Sequence, residues 1–357
     1  MRLSTLAALL ALAAALGACS ALPEAGEFTF EGGAASGARP DMWPPLPQVP
    51  RYAHVGTLHG EENFRRSQAG QTAMRRLLHW VAGIGGDGDQ PLTLQRPTAG
   101  TTDALGRILV TDASRQSVFV FDTAAGRLDV WDRADGLRRF VSPVGIVAGP
   151  NEDTLVADAE LGFVARLDRS GEPVGRIGAG TLKRPTGIAR DARRGLLYVA
   201  DTYAHDIKVF DGDGALVEVI GGRGEGPGRF NYPTHLAFAA GALYVTDSMN
   251  NRVQVLQPQG AGVERTIGRR GLYVGNLVRP KGVAADRDGN VYVAESFYDM
   301  LLVFDAQGRF LMPIGSAGGP GGRFYLPSGI WTDDGDRVYV ADMFNGRVVV
   351  FEFLGGD

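Results

Sequence analysis

A proline, then a hydrophobic doublet ending in an acid 14 to 16 residues later, recurs six times along this chain of 357 residues. The prolines are Pro97, Pro143, Pro185, Pro233, Pro280 and Pro327, at intervals of 46, 42, 48, 47 and 47. The acids are Asp112, Asp158, Asp201, Asp247, Glu295 and Asp342, at intervals of 46, 43, 46, 48 and 47. A period in the forties with strand-like content is the mark of a β-propeller, one four-stranded blade per repeat. The expected fold is therefore all-β: a six-bladed β-propeller.

The fifth repeat shows the blade grammar. Lys281–Ala285 reads as a short inner strand a, Asp286 to Asn290 as a turn, and Val291–Ala294 as strand b closed by Glu295. Met300–Phe304 follows as strand c, Asp305 to Gly308 as a second turn, and Arg309–Ile314 as strand d. β-branched and aromatic runs between Gly/Asp clusters are what half-buried strands require. Glycine numbers 51 of 357, about double the usual ~7% share, which suits many tight turns.

The phrases RPTGIARD…LLYVADTYAHDIKVFD and YPTHLAFA…LYVTDSMNNRVQVL resemble NHL repeats. The resemblance covers residues 81–353 and is most marked in repeats three to six, while Asp158 to Gly162 in repeat two departs from the usual ending. It implies a six-bladed ring of NHL type, and its motifs specify fold rather than activity. Blade six lacks a fourth strand after Val348–Phe353. The segment 51–58, with Gly60 and Phe64, resembles Phe310–Ile314 with Gly315 and Phe324, so it is the expected N-terminal strand closing the last blade, with 81–85 as a rival. One short N-terminal helix is expected over 68–82, where Met74, Leu77, Leu78 and Val81 fall on one face. The propeller thus occupies 51–357, with blades over 83–353.

Residues 1–18 carry Arg2 followed by an apolar run to Leu16, too short to span a bilayer and suited to a secretory signal. Leu16-Gly17-Ala18-Cys19 resembles the lipobox of bacterial lipoprotein precursors, and Cys19 is the one cysteine in the chain. The resemblance implies cleavage before Cys19, its lipidation, and attachment to a membrane by lipid alone. Ser20 in place of Asp favours the outer membrane, periplasmic or surface-exposed. Residues 19–50, rich in Pro, Gly and Ala, read as a tether. The net charge of −4 gives no reason to expect nucleic acid as a partner.

Which residues could carry chemistry? One acid per repeat is what a structural role predicts, each accepting backbone N–H bonds or pairing with an Arg before the proline (Arg96, Arg184, Arg279). Asp286-x-Asp288-x-Asn290 and Asp211-x-Asp213 lack the acid that a calcium loop needs and read as hairpin turns. The glycines of GGRGEGPGRF precede no helix pattern and read as a d–a connection. NHL-type amidating lyases hold zinc with several His; here His205 and His235 are the candidates for a weak metal site, in a central-channel hydrolase or lyase. The inner strand starts carry no carboxylate or Asn of the kind that lactonase-like propellers use. No catalytic residue or cofactor is assigned. The stronger signal is a face on which b–c and d–a loops emerge together. It gathers Tyr203, His205, Met249, Asn250, Phe297, Tyr298, Met343 and Phe344 with Tyr232, Tyr273 and Tyr325. Such residues are enriched at protein-binding surfaces. The expectation is a monomeric, membrane-anchored scaffold binding another cell-envelope protein or a small ligand.

Overall fold

The structure, a computed structural model, describes residues 25–33, 40–65, 91–257 and 262–355. The signal segment, Cys19, the expected helix over 68–82 and the run 81–85 lie outside the described residues. Each repeat forms one antiparallel sheet with its strands in sequence order. In blade 1 these are Pro97–Thr102, Ile108–Asp112, Ser117–Asp122 and Arg127–Trp131. The first strand of each blade packs on that of the next, and blade 6 packs on blade 1, which makes a ring around a central channel.

Hydrophobic patterning explains this arrangement. Middle strands such as Ile108–Asp112 and Val291–Glu295 are buried throughout, because each blade is covered on both faces by its neighbours. Outer strands such as Leu216–Gly221 are largely exposed. The core is divided into six clusters, one at each seam between adjacent blades. Phe230 and Phe324, from the d–a loops, are fully buried in two of these seams. A Cβ added at Gly221 or Gly315 would collide with their rings.

Blade 6 carries five strands. Pro327–Thr332, Arg337–Asp342 and Arg347–Phe353 are followed outward by Tyr52–Leu58 and Met42–Trp43. Tyr52–Leu58 runs antiparallel to Arg347–Phe353, with Leu58 opposite Val348 and Tyr52 opposite Phe353. The described parts of the segment read as a tether in fact lie on the ring. Trp43 sets its edge against Phe351 at 5.5 Å, Glu27–Phe28 pairs with Phe64–Arg65, and Phe28 and Phe30 pack on the seam between blades 6 and 1. Three aromatic anchors in a Pro- and Gly-rich stretch are enough to dock it, and average composition conceals them. Among the described residues no helix is long and apolar enough to cross a membrane.

Candidate binding face and central channel

In every blade the acid ends the second strand directly opposite the proline that opens the first. Proline donates no hydrogen bond, and the carboxylate collects N–H groups from residues just before the proline and just after the acid. Asp112 accepts those of Gln95, Arg96, Ser114 and Arg115 at 2.6–3.0 Å. Asp158 does the same with Val141, Ser142, Glu160 and Leu161 at 2.8–3.0 Å. Burial pushes the carboxyls of Glu295 and Asp342 up, and the bonds from backbone N–H groups oppose it.

Of the two partners that the sequence left open, the backbone is the one used. Arg96 and Arg184 give the acids their main-chain N–H, while their guanidinium groups lie over the rings of Phe344 and Tyr203 at 5.4 and 5.1 Å. Where an acid has a cationic partner, it comes from the third strand: Lys208 to Asp201 and Arg252 to Asp247 at 2.8 Å, Arg347 to Asp342 at 2.9 Å.

Four residues past each acid the backbone turns left-handed, at Gln116, Gly162, His205, Asn251, Asp299 and Gly346, with φ between 53° and 70°. Side chains at this position reach the next blade. Gln116 and Asn251 donate to the carbonyls of Val141 and Val278, and Asp299 accepts the N–H of Leu326. His205 belongs to this set. Its Nδ1 accepts the Tyr232 N–H at 3.2 Å, its ring stacks edge-on against Tyr232 at 4.4 Å, and it is buried. Asn250 likewise donates to the Gly224 carbonyl and the Asp247 carboxylate. Two residues read as binding candidates therefore fasten blades together. Met343 and Tyr298 are partly buried, the latter against Phe297.

The others stand in solvent: Tyr203 is 57% exposed, Met249 64% and Tyr273 83%, and Tyr232, Phe297, Tyr325 and Phe344 are also exposed. The loops that carry them are bonded to one another, Met249 N–H to the Asn231 carbonyl and Phe344 N–H to the Tyr325 carbonyl, both at 3.1 Å. Across the seam of blades 3 and 4, Arg184, Tyr203 and Tyr232 form one run. Across the seam of blades 6 and 1, Tyr325, Phe344 and Arg96 form another. Leu272 and Val274, which flank Tyr273, are exposed too. The sequence reading overlooked them, although an apolar triplet between Gly271 and Gly275 was there to be seen.

The inner strands enclose a cavity of about 220 Å³ that His235 lines and no carboxylate side chain does. His205 is not part of that lining, so the two histidines do not share a cavity. Burial, with the Lys281 charge beside it, lowers the His235 pKa to about 3. Among the described residues no group of three or more His, Cys, Asp or Glu gathers in a way that could hold a metal. The Asp-rich turns satisfy themselves: Asp286 accepts the Asn290 N–H, and Asp211 those of Asp213 and Ala215. The glycine-rich loop at 221–230 closes on itself through Phe230 N–H to the Gly222 carbonyl.

Against known proteins, a family model described as a 6-bladed beta-propeller matches residues 190–253. Protein brain tumor of Drosophila melanogaster is 29% identical over 139 residues, 38% of this chain and 13% of that protein. NHL repeat-containing protein 2 of Bos taurus is 35% identical over 86 residues, 21% of this chain and 12% of that protein. The chain is a six-bladed β-propeller with NHL-repeat homologues. The propeller matches only a small fraction of the length of these relatives. Among solved structures, a gluconolactonase from Xanthomonas campestris superposes with a TM-score of 0.55 at 17% identity, over 76% of this propeller chain and 92% of that one. At that identity the likeness is one of fold.

Proposed function

We propose that the propeller is a non-catalytic scaffold of the cell envelope, exported, lipidated at Cys19, and docking a protein partner on its loop face. One observation carries the reading. Tyr203, Met249, Tyr273, Phe297, Tyr325 and Phe344 stand at loop tips with about half or more of their surface in water. Loop tips that meet only water are served by Asn, Asp or Ser; large apolar tips regain about 25 cal/mol per Å² once covered. Arg96 and Arg184, laid over two of these rings, complete the composition of a protein-binding surface. The lipobox match supports the anchoring half of the reading.

Met249→Ala, Tyr325→Ala and Phe344→Ala test the face. Each should weaken recovery of the partner from native membranes by about 1–3 kcal/mol and leave the melting temperature unchanged. A lower melting temperature with recovery intact would assign these residues to the fold and end the proposal. Palmitate labelling of the wild type against Cys19→Ala tests the anchor, and equal labelling would refute it.

A further inference from the structure

Charge is unevenly spread over the loop face. The stretch from Arg265 to Ala285 holds five basic residues and no acid, in a chain whose net charge is −4. Its loop, 268–279, meets the b–c loops of blades 4 and 5. The Asn251 side chain donates to the Val278 carbonyl at 2.6 Å, and the Ser296 N–H donates to the Arg279 carbonyl at 3.2 Å. Arg269, Arg270 and Arg279 stand exposed there. Arg269 donates to the neutral Asn276 side chain, and the side chains of Arg270 and Arg279 make no hydrogen bond or ion pair with any described residue. Within 248–251, 268–279 and 296–299 the one acid is Asp299, and it is turned to blade 6, where it accepts the Leu326 N–H at 2.7 Å. Glu295, beside Arg279, is buried and takes backbone N–H groups. Positive charge is therefore left over at this corner.

The same three loops carry Met249, Leu272, Tyr273 and Phe297, all exposed. The turn that presents Leu272 and Tyr273 is fixed by Asn276 N–H to the Tyr273 carbonyl and Leu277 N–H to the Arg269 carbonyl, both at 2.9 Å. A fixed turn loses little freedom on docking. Basic charge among apolar tips fits an anionic partner with apolar groups of its own, either an acidic protein segment or an anionic bilayer. The N-terminal segment decides between them. Gly26 N–H donates to the Gly126 carbonyl at 2.8 Å, in the turn between the third and fourth strands of blade 1. In an antiparallel blade that turn lies at the end opposite the b–c loop. Cys19 is seven residues before Gly26, a reach of at most ~25 Å. A lipid there holds the turn side of the ring toward the bilayer and the loop side away from it.

Resting on the anchored scaffold with its loop-face docking, we propose that the seam of blades 4 and 5 docks an acidic segment of the partner protein. Its carboxylates meet Arg269, Arg270 and Arg279, and its apolar side chains settle among Leu272, Tyr273 and Phe297. Such complementarity speeds encounter and fixes register as well as adding affinity, and salt weakens it.

Fluorescence anisotropy with the full chain tests this, using a labelled glutamate–tyrosine copolymer and a lysine–tyrosine copolymer of the same length. The acidic copolymer should bind and the basic one should not. Arg270→Glu combined with Arg279→Glu should weaken the acidic copolymer by at least about tenfold. Arg138→Glu combined with Lys183→Glu, exposed cations of other d–a loops, should leave it nearly unchanged. An equal loss from that distant pair, or binding of both copolymers alike, overturns the proposal. So does binding to phosphatidylglycerol vesicles that falls with Arg270→Glu and Arg279→Glu, which would assign the seam to lipid. Absent copolymer binding, while Tyr325→Ala and Phe344→Ala still weaken recovery of the partner, would end the acidic segment and leave the loop face standing.

Discussion

Asp112 holds four backbone N–H groups with one buried carboxylate. Asp112→Ala would leave those donors without their acceptor, and each hydrogen bond to a charged group contributes about 1.5–3 kcal/mol. The expected loss, read by chemical denaturation, is about 3 kcal/mol or more. Asp305→Ala, in a turn where the carboxylate accepts the two N–H groups of Gln307 and Arg309 and pairs with the Arg309 side chain, should lose less, about 1–2 kcal/mol. Equal losses would mean that the buried acid's four N–H bonds are worth no more than those of a surface turn. The sequence makes the acid's recurrence plain but not its partner, since Arg96 and Arg184 look equally suited to a side-chain ion pair. Backbone N–H groups are invisible in a sequence, and they prevail here because proline leaves a gap in the ladder beside them. The same limit explains His205: only the left-handed turn, with φ of 61°, aims it at the next blade.

The blades themselves were legible, because covering a sheet on both faces forces β-branched and aromatic runs at regular spacing. The docking of 25–33 and 40–50 was not. Met42–Trp43 is a two-residue strand, held by its pairing with Tyr52 and Ala53 and by Trp43 against Phe351. Trp43→Ala should lower stability by about 2 kcal/mol, less than the roughly 3–5 kcal/mol of a fully buried aromatic. Deleting 52–58 should do far more damage, since it bares the edge of Arg347–Phe353 and invites pairing between molecules. Thermal melts with light scattering separate the cases. Two truncations, 52–58 and 25–33, that melt alike without aggregating would show that the outer strand is dispensable.

For the ring as a whole, acid should be unfavourable through its buried histidines. Burial lowers the pKa of His54, His59 and His235, the last to about 3. A group whose folded pKa lies below its unfolded value of about 6.5 contributes stability above that value and loses it as pH falls toward the folded one. From about pH 7.5 to about pH 5, His235 alone should account for a loss of about 2 kcal/mol, and His235→Gly should abolish that share. Denaturation curves at the two pH values for both proteins measure it; an equal loss in both would place His235 outside the buried set. The five-stranded blade also has a consequence in time. Its central strand, Arg347–Phe353, is made after both of the strands it lies between, Tyr52–Leu58 and Arg337–Asp342. Until it arrives, a nascent chain carries two unpaired sheet edges and an open circle. A translation product stopped short of residue 347 therefore cannot resemble the finished protein, and it presents to any protease or chaperone a surface that the complete ring never shows.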